Sequence, residues 1–213
     1  MRRDDPADPP EDPPGRLLIA TTNRGKLAEI RRILGSAPFE LVTLEACPAL
    51  TEPAETGATF AENARQKALY YAAATGLPAV AEDSGLEIDA LDGAPGIHSA
   101  RWHGTDYAIT FAHIYDALAA RGVRGSCARF VCAVALARGT QVVFEACGTV
   151  EGEIAPEPRG TRGFGYDPIF YYPPYGRTLG EVDDQEKIAV SHRGEAFREL
   201  VAHLAAHPEL AHG

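Results

Sequence analysis

The stretch from Ala128 to Gly152, "ARFVCAVALARGTQVVFEACGTVEG", constrains this chain more than any other. Two long apolar runs are separated by Gly139-Thr140 alone, and a connection that short joins them most simply as an antiparallel hairpin. The residues before it follow a different rule. "RLLIA" (16–20) is a short strand, and in "GKLAEIRRILG" the residues Leu27, Ile30, Ile33 and Leu34 keep helical spacing up to Gly35. "FELVTL" reads as a second strand. "TFAENARQKALYYAAATG" reads as a long helix opened by a capping box from Thr59 to Glu62 and closed by Gly76. "LPAVAED" returns to strand, "YAITFAHIYDALAARG" is an amphipathic helix, and "SHRGEAFRELVAHLAAH" supplies a final one. Strand and helix alternate, then a hairpin intervenes. This order predicts an α/β fold with a mixed central β-sheet flanked by helices and a smaller second lobe closing a cleft. No internal repeat is present.

At 213 residues and 45% hydrophobic, the chain has the material for one α/β domain over 16–213. Residues 1–15, "MRRDDPADPPEDPPG", combine repeated proline with acid and have almost nothing apolar to bury, which predicts a disordered tail. The net charge of -10 argues against nucleic-acid or polybasic membrane partners, so an anionic ligand must meet a local cationic cluster. Cys47, Cys127, Cys132 and Cys147 form no CxxC pair and read as small core hydrophobes in a reducing compartment. With no export signal and no long apolar segment, the expected location is cytoplasmic.

Several short stretches carry possible chemistry. "TTNRGK" (21–26) lies between the first strand and first helix, where free amides and the helix dipole favour an anion. An ordinary N-capping turn reads equally well there. The lysines sharpen the choice: there are only three, Lys26, Lys67 and Lys187, against seventeen arginines. They fall in that turn, in the capped helix and in the loop before the final helix. A compact ammonium serves a crowded polyphosphate differently from a planar guanidinium. Among the carboxylates, Asp83 sits at the mouth of a buried strand before Ser84-Gly85, with Glu82 beside it, while Glu87 and Asp89 alternate with Leu86 and Ile88 and belong to a wet face. "GFGYDP" (163–168) joins two aromatics and a carboxylate to flexible glycines. In "EKIAVSHRG" (186–194), Ser191 reads as an N-cap that puts His192 and Arg193 in a first helical turn, against the helix dipole. His203 and His207 read as solvated, and "GEVDDQE" (180–186) as a solvated acidic loop.

Taken in order, "TTNRGK", "TFAENARQKA", "AEDSGLEIDALDGAPGIHSARW", "GFGYDPIF" and "EKIAVSHRG" resemble the inosine/xanthosine triphosphate pyrophosphatase family over roughly Leu17 to Leu204. The resemblance implies a homodimeric α/β enzyme with a nucleotide-binding cleft. Such an enzyme uses Mg2+ to cleave non-standard purine nucleoside triphosphates (ITP, dITP, XTP) to the monophosphate and pyrophosphate. It further implies that Thr21, Thr22, Asn23, Arg24, Gly25 and Lys26 cradle the triphosphate with Lys67. Asp83 would be general base and metal ligand, Glu55 a second metal contact with Glu52 as its neighbouring competitor, and Ser84 a substrate contact. Phe164, Gly165, Tyr166 and Asp167 would hold the base, with Lys187 and Arg101 approaching the nucleotide and His192 and Arg193 reading the purine edge. The family block around Asp83 often begins Asp-Asp, and Glu82 stands in the first place here. The competing readings are a pyrophosphatase for other modified or standard nucleotides and a non-catalytic nucleotide-binding module.

Overall fold

The computed structural model describes residues 15–35, 39–47, 50–104 and 106–211. The disordered tail expected at 1–15 therefore lies, apart from Gly15, outside the described residues. Strands β1 (Arg16–Ile19), β2 (Glu40–Thr43), β3 (Ala79–Ile88), β4 (Cys127–Arg138), β5 (Gln141–Ile154), β6 (Phe170–Tyr172) and β7 (Arg177–Thr178) form one sheet in the order β2-β1-β3-β4-β5-β6-β7. β1 runs parallel to both β2 and β3, and every later pairing is antiparallel. The expected hairpin is present, with Arg138 facing Gln141 across the turn and a register shift at Leu136/Ala137.

Five α-helices are described: α1 (Arg24–Leu34), α2 (Phe60–Thr75), α3 (Tyr107–Ala120), α4 (Asp184–Val190) and α5 (His192–Ala206). On one face of the sheet Ala64, Ala68 and Ala72 of α2 bury against Ala79, Ala81, Ala133 and Ala135, small residues that let the helix approach closely. On the other, Ile30 and Leu34 of α1 and Phe197 and Leu200 of α5 meet Leu17, Ile19, Val80 and Leu136. A third cluster, built from Phe111, Ile114 and Leu118 of α3 with Leu86, Phe130, Ile154 and Phe170, packs the far half of the sheet. Two helix-covered faces and this third cluster give the mixed α/β architecture that the sequence predicts.

The structure corrects the sequence reading in several places. Glu82 and Asp83 do not end a strand, because β3 continues through Ser84 and Gly85 to Ile88, held by β4 in an unbroken register that pairs Glu82 with Val134 and Asp83 with Ala133. Strand β1 stops at Ile19 and pairs β3 only at Ala79 and Val80. Two polar residues thus sit mid-strand just beyond the end of the parallel pair. Gly85 is required by packing: a Cβ there would lie 2.4 Å from Ser99 Oγ and 2.5 Å from the Gly96 carbonyl oxygen.

Lys187 lies on α4 and not in a loop. Of the expected acidic loop 180–186, residues 180–183 do precede the helix and 184–186 form its first turn, where Asp183 accepts from the Gln185 and Glu186 amides and the Glu186 carboxylate accepts from the Asp183 amide. At α2, Thr59 Oγ1 accepts from the Glu62 amide as expected, but the Glu62 carboxylate takes the Ala58 amide in place of the N-cap's own. Only Cys132 is buried; Cys47 is half-buried, and Cys127 and Cys147 are exposed. His203 is not solvated: its ring stacks on Phe144 with centroids 4.6 Å apart. No cluster of three or more metal-ligating His, Cys, Asp or Glu is found among the described residues.

Candidate active site

β1 sends the chain to β2 on one side and has β3 on the other, so a crevice opens at the carboxyl ends of these parallel strands, where open α/β sheets bind ligands. The TTNRGK turn leaves β1 here. The Asn23 side chain caps α1 by accepting from the Lys26 amide at 3.0 Å, and Thr21 Oγ1 accepts from the Asn23 amide. The N-capping reading of this turn holds, and the other first-turn amides of α1 have no intrahelical acceptors.

The crevice has two connected parts. The first, about 60 Å³, is lined by Phe164, Gly165, Tyr166, Asp167, Lys187, His192 and Arg193, with Asn23, Lys26 and Ser84 at its edge. The second, about 180 Å³, is lined by Thr21, Thr22, Glu55, Lys67, Asp83 and Arg101 together with Asn23, Lys26, Ser84 and Glu82. Arg24 faces a neighbouring cavity instead. Gly25 lines neither part; a Cβ on it would lie 2.8 Å from the Phe164 ring, so glycine allows α1 to meet that ring. All three lysines stand on these walls, although they are 41 or more residues apart in sequence.

In the larger part, Lys67 Nζ lies 2.7 Å from Glu55 Oε1 and 3.3 Å from Asp83 Oδ1. Asp83 Oδ2 accepts from Asn63 Nδ2 at 3.0 Å, and Asn63 Oδ1 accepts from the Gly57 amide. Burial pushes the Asp83 carboxyl above the usual aspartate range, against the pull of Lys67 and the Asn63 bond. For Glu55 burial works upward too, but Lys67 and then Arg101, 3.5 Å away, hold it below its usual value. Lys67 is raised, since Asp83 and Glu55 outweigh the burial that would lower it. Glu82 is buried deeper and pairs with Lys26 at 2.7 Å and Arg193 at 3.6 Å. Burial alone would raise its carboxyl, and these two cations hold it well below the carboxylate range.

In the smaller part, Arg193 Nη2 donates to Ser84 Oγ at 2.9 Å and Nη1 to Glu29 Oε2 at 2.5 Å. Glu29 Oε1 also meets Lys187 Nζ at 2.7 Å, and Lys187 reaches Asp167 Oδ2 at 2.5 Å. Arg193, in the first turn of α5, thus stands against the helix dipole because the buried carboxylates Glu29 and Glu82 answer it. Asp167 also accepts from the Phe164 amide, and burial raises its carboxyl despite Lys187. His192 stacks on Phe130 with centroids 4.9 Å apart, and burial, then Arg193 and Lys187, hold it well below the usual histidine range. It is neutral near pH 7. His192 Nδ1 and Arg193 Nε are buried without a hydrogen-bond partner on this wall.

Sequence reading missed Glu29 and Asn63. Both carried a signal: on the same helix as a singled-out lysine, Glu29 stands three residues after Lys26 and Asn63 four before Lys67, spacings that share a helix face.

Such a crevice, lined by buried lysines and carboxylates beside an aromatic chamber, defines an α/β protein built around a charged small molecule. The chain belongs to the Ham1 family, whose sequence profile matches residues 17–203. It is 51% identical over 196 residues to the dITP/XTP pyrophosphatase of Streptomyces coelicolor, covering 87% of this chain and 95% of that protein. It is 42% identical to the dITP/XTP pyrophosphatase of Exiguobacterium sibiricum, over 89% of this chain and 96% of that one. Its fold matches the structure of a HAM1 protein from Coxiella burnetii with a TM-score of 0.80 and 41% identity, covering 90% of this chain and 98% of the other. The nucleoside-triphosphatase / dITP/XTP pyrophosphatase of Mycobacterium abscessus matches with a TM-score of 0.68 and 43% identity over 87% and 97% of the two chains.

Proposed function

We propose that this chain, acting through one domain over 16–213, hydrolyses non-standard purine nucleoside triphosphates (ITP, dITP, XTP) to the monophosphate and pyrophosphate with Mg2+. The observation that carries the reading is the Asp83 carboxylate, fixed by Lys67 and Asn63 at the mouth of a crevice whose other end holds unpartnered polar atoms on a buried histidine and arginine. The names of the S. coelicolor and E. sibiricum relatives support the same activity.

Charge counting supports the cation. In and beside the crevice the five cations Lys26, Lys67, Arg101, Lys187 and Arg193 face the six acids Glu29, Glu52, Glu55, Glu82, Asp83 and Asp167, so with all six ionised the wall is one charge negative before any ligand arrives. A triphosphate cannot be held by that surface alone. Asp83 and Glu55 already converge on one ammonium, and two carboxylates plus phosphate oxygens and water are the donor set that Mg2+ takes. Bound there, Mg2+ supplies positive charge for the phosphate oxygens.

The chain's own groups do the rest. Asp83, with its raised carboxyl, orients a water and accepts its proton as the water attacks the α-phosphorus. Lys26 and Lys67 hold the departing pyrophosphate, with the amides and hydroxyls of Thr21 to Lys26. Ser84, fixed by Arg193, positions the α-phosphate, and no covalent nucleophile is needed. Phe164, Gly165, Tyr166 and Asp167 enclose the base, Arg101 covers the nucleotide from the open side, and Arg193 and neutral His192 face the six-oxo edge. Adenine presents an amine there and would leave buried donors facing a donor.

Incubation with Mg2+ and each of inosine, xanthosine, guanosine and adenosine triphosphates tests the reading. Monophosphate plus pyrophosphate from the first two, with little from the others, is the expected result; release of single phosphate rejects it. The same reading takes the chain as a cytoplasmic homodimer, which light scattering and cell fractionation check. Among the described residues no helix is long and apolar enough to cross a membrane.

A further inference from the structure

Three cavities lie in series. The aromatic chamber and the charged crevice share Asn23, Lys26 and Ser84, while the crevice and a third chamber share Thr21, Thr22, Glu52 and Tyr71. The third chamber holds about 360 Å³, twice the 180 Å³ of the crevice beside it. That volume falls within the range of roughly 300–1,000 Å³ that encloses a small organic ligand. On the proposed orientation, with the base among Phe164 to Asp167 and the phosphates along the Thr21 to Lys26 turn, the chamber lies beyond the terminal phosphate.

Its walls differ from those of a phosphate site. Leu27, Leu44 and Leu50 supply apolar surface, and Arg24 is the one cation among its described lining residues, against the acids Glu45 and Glu52. Another phosphate would bring negative charge beside two carboxylates, whereas an uncharged group would bury against leucines. We propose that this chamber receives an uncharged organic group esterified to the terminal phosphate. The chain would then also hydrolyse terminally esterified six-oxo-purine nucleoside triphosphates. This assignment rests on the function proposed above.

The chemistry needs nothing new. The water oxygen bonds to the α-phosphorus and its proton passes to Asp83. The bond from the α-phosphorus to the α,β-bridging oxygen breaks, and its electron pair leaves on the β-phosphate. The products are the nucleoside monophosphate and a pyrophosphate still carrying its ester. The ester lies two phosphates from the reacting bond, so it requires only space.

The test compares ITP with its γ-phenyl ester in the presence of Mg2+, with products resolved by phosphorus NMR. The expected products from the ester are inosine monophosphate and phenyl diphosphate, at a kcat/KM within about tenfold of ITP. Two variants fill the chamber, Leu44→Trp from its half-buried wall and Glu45→Trp from its exposed rim. Each is expected to lower the ester-to-ITP ratio of kcat/KM at least tenfold, a ratio that corrects for any loss of folded protein. Intact ester alongside cleaved ITP overturns the proposal, as does an unchanged ratio in both variants. If ITP itself is not cleaved, the underlying function fails and the chamber's assignment with it, a result distinct from failure of the ester alone.

Discussion

The two ends of the crevice are built from the same charged residue types and differ in how those charges are held. At the end proposed to hold the base, hereafter the base end, the Lys187 and Arg193 side chains are 4% and 2% exposed, and Glu29 bridges both. Phe164 lies over Lys187, with the ammonium 4.5 Å from the ring centroid, and the free volume is only about 60 Å³. At the phosphate end, Arg101 is 70% exposed, Glu55 is 20% exposed, and the space is wider. A dry end with fixed partners suits discrimination between bases, since a mismatch there strands a buried polar group. An open end suits charge that arrives and leaves with each turnover. The Phe164 ring that lines this chamber packs on Gly25 so closely that a Cβ there would lie 2.8 Å from it.

Substitution in the larger part of the crevice has the largest expected effect. Asp83→Asn removes the proposed proton acceptor and is expected to lower kcat by about 10²–10⁴-fold while nucleotide binding stays measurable by calorimetry. The amide also meets donors on both sides, Lys67 and Asn63, so a stability cost of about 1–3 kcal/mol should accompany the loss. Turnover close to wild type would remove Asp83 from the base role and detach the chemistry from this carboxylate.

Glu29→Ala acts on the base end alone. Lys187 keeps Asp167 and Arg193 keeps Glu82, but two buried cations lose their shared carboxylate. Breaking a buried pair from one side costs about 3–5 kcal/mol, measurable in urea unfolding. A loss under about 1 kcal/mol would show that the base end is wetter and looser than its burial indicates, which would erase the contrast.

That carboxylate also marks where the sequence was legible. The hairpin, the α1 and α2 boundaries and the three lysines could be read because each rests on local spacing, a cap, or an unusual residue choice. Glu29 could not be assigned, since its partners lie 158 and 164 residues away and only the packing of α1 against α4 and α5 brings them together. Glu82 to Gly85 looked like a strand end because polar residues and glycine break apolar runs, yet the register with β4 carries the strand through them. β6 and β7, of three and two residues, and the seven-residue α4 are too short to generate a periodic pattern.

The base end should also carry an acid sensitivity. His192 is buried against Phe130, with Arg193, Lys187, Lys26 and Glu82 as its charged surroundings, and its folded value lies well below the ordinary 6.5. Above pH 6.5 the imidazole is neutral in both folded and unfolded chains, and its contribution to stability is complete. As pH falls below 6.5 the unfolded chain takes up a proton that the folded chain refuses. Stability should then drop by about 1.4 kcal/mol per pH unit until the folded value is reached. His192→Gln should flatten this part of the stability profile. An unchanged slope would assign the acid sensitivity to other groups and leave His192 out of the dry cluster.

Arg101→Ala probes the open end and has the smallest expected effect. The guanidinium reaches Glu55 across 3.5 Å while remaining 70% exposed, so water and salt screen the pair and its worth is under about 1 kcal/mol. Stability should not change measurably, and KM for the triphosphate should rise less than about fivefold, the factor that such an energy allows. The rise should shrink further at high ionic strength, because a charge acting through solvent is screened whereas one acting in a dry cavity is not. A large KM effect that persists in high salt would mean that Arg101 becomes buried when nucleotide binds. In that case the open end closes over its ligand, and the difference between the two ends belongs only to the empty crevice.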